Sequence, residues 1–125
     1  DPDVILAAYN DAAGVTKQFN LNLLERINRE LGGDFKLESF EHSPHYDAEY
    51  GEARSALVSM IDQQVKIGSL DLKVAFKEGE PIHTEISRKY NLEDIKSLAA
   101  ASGFEIVDNL LDSKEYFTDS VWRKI

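Results

Sequence analysis

The sequence predicts an α+β fold in which N-terminal helices precede an antiparallel sheet, and a further helix and β-hairpin follow. Three observations carry this prediction. An apolar stripe with helical spacing runs through residues 16–31, apolar and polar residues alternate between residues 54 and 88, and helical spacing returns after residue 91. The chain has 125 residues, of which 42% are hydrophobic, so it is long enough to bury a core.

The first part of the chain predicts helices. Residues 3–10 form the end of one helix, and a turn at residues 10–14 follows it. Thr16 is the predicted N-cap of a long helix that ends near Leu31, where two glycines follow. Its apolar stripe consists of Phe19, Leu23, Leu24, Ile27 and Leu31.

Alternating residues predict the sheet. A short strand is expected near residues 41–46, and longer strands over residues 54–61, 70–76 and 82–88, with turns at 62–64 and 77–81 and a bulge at Gly68. We expect these strands to form a meander. Asn91 then begins a helix that Gly103 ends, and residues 104–111 and 116–123 form a hairpin. A helix and hairpin alone have few partners, so we expect them to be the edge of a larger sheet.

Composition and charge exclude several functions. Fourteen basic residues against 23 acidic ones give a net charge of −9, which argues against a nucleic-acid partner. Without cysteine there is no disulfide, no thiolate metal ligand and no cysteine nucleophile, and we expect a cytoplasmic protein. Apolar runs of four or five residues predict no membrane partner. Because the chain opens on Asp1 rather than Met, we expect a piece of a longer protein.

Motifs for metals, phosphates and serine nucleophiles are also lacking. His42, His45 and Asp47 do not have the spacing of a closed zinc site, so we expect no metal. The phosphate-binding patterns GxxxxGK[ST] and GxGxxG are absent, as is a serine flanked by glycines in a strained turn.

Two polar segments are candidates for a ligand site. In the strand over residues 82–88, His83, Glu85 and Ser87 are predicted to share one face, and Thr84 and Ile86 the other. A carboxylate and a hydroxyl placed in this way suit a small ring with two polar nitrogens, although a solvated strand face would look the same.

The second candidate is the tyrosine that precedes the first turn. Tyr9 offers an apolar ring and a hydroxyl beside Asn10 and Asp11, which suits a polar ligand group. The alternative is a tyrosine that covers the core, followed by ordinary turn residues.

Three ordered motifs resemble a known family. They are AAYNDAAGVTKQFN at residues 7–20, with INREL at 27–31, EPIHTEISRKY at 80–90 and LAAASGF at 98–104. In this order and spacing they resemble the C-terminal part of the histidine-specific, S-adenosylmethionine-dependent methyltransferases. Those enzymes trimethylate the α-amine of L-histidine on the route to ergothioneine.

The resemblance implies two parts with different origins. Residues 1–90 would be a substrate-recognition domain, and residues 91–125 would be a helix and hairpin that complete the α/β sheet of a class I methyltransferase. S-adenosylmethionine would be bound by an N-terminal methyltransferase core that is missing from this chain, so the chain alone is expected to be inactive.

The resemblance also implies a substrate site. Tyr9 would hold the amino-acid end, Glu85 and Ser87 would recognise the imidazole with Ile86 between them, and Phe19 would lie near the pocket. Ser55 stands where relatives carry a bulkier apolar residue, which implies a roomier pocket and weaker discrimination. No residue of this chain is expected to be catalytic.

Two further expectations complete the interpretation. The unpaired sheet edge makes a homodimer possible. The alternative to part of an enzyme is a stand-alone module that binds a small molecule or a partner without catalysis.

Overall fold

The computed structural model describes residues 2–125. The chain divides into two compact units, Asp1–Arg88 and Lys89–Ile125. All strand pairs within the described residues are antiparallel, and helices accompany them, which confirms the predicted α+β class. The helices are α1 (Pro2–Tyr9), α2 (Val15–Leu31) and α3 (Leu92–Ala101). The strands are β1 (Phe40–Asp47), β2 (Glu52–Ser59), β3 (Gln63–Ile67), β4 (Leu72–Phe76), β5 (Pro81–Arg88), β6 (Phe104–Leu111) and β7 (Thr118–Lys124). Among the described residues, every helix is too short or too polar to cross a membrane.

Helix α2 begins differently from the prediction. The predicted cap at Thr16 is wrong, because Asp11 supplies the capping oxygens. Its carboxylate accepts hydrogen bonds from the backbone N–H groups of Val15 and Thr16, both at 2.8 Å. Gly14 has a φ of 70° and Gly32 a φ of 63°, left-handed values that allow the chain to turn at both ends of the helix. The end at Leu31 is confirmed.

The strands of the first unit form two sheets instead of the expected meander. β5 returns to pair with β2, which gives the order β1-β2-β5, while β3 and β4 pair separately. The predicted turn at residues 62–64 is wrong, since β3 begins there. Gly68–Leu70 is a short 3-10 turn and not a bulged strand, because Asp71 adopts a left-handed φ of 47° before β4 starts.

Three aromatic rings form the centre of the first unit's core. Phe35, Phe40 and Phe76 have ring centroids 5.6–6.3 Å apart, in tilted and edge-on arrangements that aromatic pairs prefer. Leu24 of α2 and Leu57 of β2 are fully buried beside them. The core therefore joins the long helix to both sheets.

Strand β5 contains a bulge that the sequence pattern did not predict. Glu85 lies opposite Ser55, but the next paired residues are His83 and Ala56, which leaves Thr84 as an extra residue without a Cα partner on β2. The prediction that His83 shares a face with Glu85 and Ser87 is therefore wrong. Thr84 and Glu85 are both partly buried, whereas His83 is exposed.

The second unit is a helix packed on a hairpin. Helix α3 begins after Asn91, as predicted, and Asn91 forms a reciprocal capping box with Asp94. The turn between β6 and β7 is held by Asp112, whose carboxylate accepts backbone N–H groups of the three residues 114, 116 and 117. Because of this turn, β7 begins at Thr118, two residues after its predicted start.

Leu57 provides a test of the core. Replacing this side chain, which is 0% exposed, in L57A should lower the free energy of unfolding by about 2–5 kcal/mol, because it leaves a cavity between the helix and the sheet. L72A, at a leucine that is 44% exposed, is the matched control and should cost less than about 1 kcal/mol. Urea unfolding measures both values, and equal losses would contradict this description of the core.

Candidate functional site

One cavity of the first unit brings together three of the predicted site residues. It has a volume of about 270 Å³ and is lined by Tyr9, Phe19 and Glu85, together with Ala8, Val15 and Thr16. This is slightly smaller than the roughly 300–1,000 Å³ typical of ligand clefts, so it suits a small molecule. Its walls combine two aromatic rings with one carboxylate.

Each wall comes from a different element. Tyr9 is the last residue of α1, and Phe19 lies in the first half of α2 with 71% of its surface exposed. Glu85 comes from β5, directly after the bulge. The cavity therefore depends on the turn between the helices and on the path of one strand.

The other predicted site residues lie outside this cavity lining. Ser87 is partly buried opposite Ala53, on the same face of β5 as Glu85, while Ile86 is 66% exposed on the other face. Ser55 is buried at 1% exposure, and its Oγ lies 3.2 Å from Nε2 of His42.

A buried polar network lies between α2 and the sheet, and the sequence analysis missed it. Asn20 is 3% exposed, and its Nδ2 donates to the Thr16 carbonyl at 3.0 Å. Its Oδ1 accepts from the Thr84 hydroxyl at 2.5 Å, and Nδ2 also lies 3.5 Å from His42 Nε2. One signal was available: Asn20 is four residues before Leu24, so it is a polar residue on the apolar stripe of α2.

Electrostatics distinguish two ionisable groups near the site. Burial lowers the pKa of His42 below its ordinary value of about 6.5, because desolvation disfavours the imidazolium. The charges of Glu85 and Asp11 oppose this shift, and that of Lys17 adds to it. For Asp11, hydrogen bonds from Thr16 and then Val15 lower the pKa to about 2, so its carboxylate stays ionised at the start of α2.

Two further cavities each share a lining residue with the first. Tyr9 also lines a cavity of about 280 Å³ whose other walls include Asp11, Lys17 and His42. Phe19 also lines one of about 210 Å³, together with Asn20 and Thr84. Residues of the polar network therefore line both of these cavities.

The second unit has a cavity of its own. It measures about 620 Å³ and is lined mainly by apolar side chains, including Tyr90, Leu92, Leu111, Tyr116 and Phe117. All its lining residues belong to the second unit, and none of them was a predicted site residue.

Metal-ligating clusters and free helix starts are two features that could hold a metal ion or an anionic group. Within residues 2–125, no three histidine or carboxylate side chains gather closely enough to hold a metal ion. The start of α2 is already capped by Asp11 and that of α3 by Asn91, so neither helix start offers these N–H groups to the carboxylate of S-adenosylmethionine.

The fold and the cavity indicate a class of protein, an α+β unit with a cavity for a small molecule between two aromatic rings and a carboxylate. Comparison with known proteins then gives the family. The model of the family described as histidine-specific methyltransferase, SAM-dependent, matches residues 1–124, and the chain belongs to this family.

Two curated relatives support the same assignment. The chain is 39% identical over 103 residues to histidine N-alpha-methyltransferase of Mycolicibacterium smegmatis, covering 82% of this chain and 32% of the relative. It is 38% identical over 99 residues to histidine N-alpha-methyltransferase of Mycobacterium tuberculosis, covering 79% of this chain and 31% of the relative. The chain thus matches about a third of the length of these relatives.

The lowered pKa of His42 leads to a prediction about acid stability. As the pH falls below about 6.5, the unfolded chain binds a proton at this histidine before the folded chain does, so the free energy of unfolding should decrease. In NMR titrations, the His42 resonance should show a lower midpoint in the folded protein than in urea. H42Q identifies the resonance and should weaken the loss of stability between pH 7 and 5. A folded midpoint equal to or above the unfolded one would contradict this prediction.

Proposed function

We propose that this chain is the substrate-recognising, C-terminal part of an S-adenosylmethionine-dependent N-methyltransferase that acts on the α-amine of L-histidine. One observation carries the proposal: Tyr9, Phe19 and Glu85 line a single cavity in a chain that belongs to the histidine-specific family. The names of the two relatives support the same substrate.

Glu85 is the proposed partner of the imidazole. A carboxylate accepts hydrogen bonds, and a neutral imidazole carries one N–H donor. Ser87 lies on the same face of the strand and would complete recognition of the ring. Ile86 lies between these two residues in sequence, and its side chain is on the opposite face of the strand, where it would not contact the ring. Partial burial of Glu85 would strengthen its hydrogen bond relative to one in water.

Tyr9 is the proposed contact of the amino-acid end, with Phe19 closing the apolar side of the cavity. Methyl transfer to an amine is an in-line displacement, so the protein must hold the unprotonated amine in one orientation. Contacts at both ends of a small molecule restrict its rotation, and that is the task we assign to this chain. We assign no general base among its residues.

Ser55 is proposed to influence selectivity from beneath the site. It is the cross-strand partner of Glu85, and its hydroxyl contacts His42. With a small side chain at this position, selection would depend on polar contacts at the ring more than on an apolar wall. One methylene is worth only about 1–3 kcal/mol of discrimination.

The remaining parts of the proposal concern the complete protein. S-adenosylmethionine would supply the methyl group from a region outside residues 1–125, and α3 with β6 and β7 would complete the sheet of that region. Residues 1–90 would form the substrate domain and residues 91–125 the completing part. We place the reaction in the cytoplasm, on the route to ergothioneine, and keep a homodimer through an open strand edge as a prediction.

Glu85 provides the test. In the complete protein, E85A should lower kcat/KM for histidine by at least about tenfold, because the ring N–H loses a charged acceptor. E25Q removes one carboxylate from the exposed side of α2 and is the control, with activity expected near that of the parent.

Methyl transfer to histidine, followed with labelled cofactor, measures both variants. An unchanged kcat/KM for E85A would contradict the assigned role. Tight binding of histidine by residues 1–125 without the cofactor, together with no methyl transfer by the complete protein, would instead support a binding module.

A further inference from the structure

We infer that Thr84 is a positioning residue for substrate recognition: its hydroxyl, held by Asn20, fixes the β5 bulge that turns Glu85 toward the cavity. The inference rests on the proposed function of Glu85 and extends it to two residues that do not belong to the predicted site.

The bulge decides which side chains face α2. Ile82 lies opposite the buried Leu57 and is itself partly buried. In a regular strand the residues at 84 and 86 would share its face, and Glu85 would lie on the other. The extra residue at Thr84 shifts the alternation, so that Glu85 and Ser87 lie on the inner face and Ile86 is exposed.

The hydroxyl of Thr84 has two acceptors within reach. It lies 2.5 Å from Asn20 Oδ1 and 3.1 Å from the Ser55 carbonyl oxygen. A hydroxyl has one proton, so it donates to the nearer oxygen, and the carbonyl is a second acceptor. The contact therefore connects the bulged residue to α2 and to the strand opposite.

Asn20 can accept this bond only in one orientation. Its Nδ2 donates to the Thr16 carbonyl, an acceptor that cannot pair with an amide oxygen. This contact directs Oδ1 toward Thr84. Because Asn20 is 3% exposed, removal of the threonine hydroxyl would leave Oδ1 buried without its donor.

Loss of this donor would affect Glu85 because the two residues are adjacent on the bulge. Without a bond to Asn20, the strand can return toward regular pairing, which moves the carboxylate away from the inner face. Serine keeps the hydroxyl and should therefore preserve the contact with Asn20. Valine has the shape of threonine but no hydroxyl, so it should not preserve the contact.

The experiment measures ligand binding to the complete protein that carries this chain. T84V should raise the Kd for L-histidine about tenfold, as expected for the loss of one buried hydrogen bond that positions the recognition group. T84S should restore binding near that of the parent. The Kd for S-adenosylmethionine should stay within about twofold of the parent value in both variants. A variant that was merely destabilised would bind both ligands more weakly.

A double-mutant cycle adds a second readout. If Thr84 acts through Glu85, T84V should cause little further loss in an E85Q background. If T84V does not fold, T84A tests the same loss of the hydroxyl with a smaller side chain, against T84S.

The outcomes separate this inference from the proposed function. Unchanged histidine binding in T84V or T84A, with weakened binding in E85Q, would overturn the role of Thr84 and leave that of Glu85. Independent, additive losses in the cycle would also overturn it. Failure of the parent protein to bind histidine would overturn both.

Discussion

A buried asparagine determines how the long helix and the three-stranded sheet of the first unit fit together. Asn20 uses one end of its amide on the Thr16 carbonyl of its own helix and the other on Thr84 of β5. A polar group at 3% exposure is tolerated only when it is hydrogen-bonded, so the surrounding core and the strand path must both satisfy it. The apolar core buries side chains of the helix and of both sheets, while this contact selects one arrangement of strand against helix.

The bulge connects that constraint to the chemistry of the site. Strand bulges often redirect side chains next to functional sites, and here the redirected residue is the carboxylate that lines the cavity. Tyr9 and Phe19 reach the same cavity because Asp11 ends the turn between the helices and caps α2. The bulge in β5, the turn between α1 and α2 and the cap at Asp11 therefore bring residues that are far apart in sequence into one small cavity.

Much of this fold could be predicted from local patterns. The apolar stripe predicts α2, Asn91 predicts the start of α3, and alternation predicts most of β2, β4 and β5. The sheet order could not be predicted, because pairing of β5 with β2 depends on contacts between distant residues. The strand β3 was missed because its first two residues, Gln63 and Gln64, are polar and were assigned to a turn.

The site residues were proposed from motifs, and their grouping depends on a feature without a sequence signature. Strict alternation places His83 with Glu85, whereas the bulge separates them.

A crystal structure of the complete protein with L-histidine tests the central claim most directly. The account predicts the imidazole in the cavity beside Glu85, with a ring nitrogen within hydrogen-bond distance of its carboxylate and Thr84 bulged against Asn20. Histidine bound elsewhere, or a regular β5 with Glu85 turned away, would contradict it.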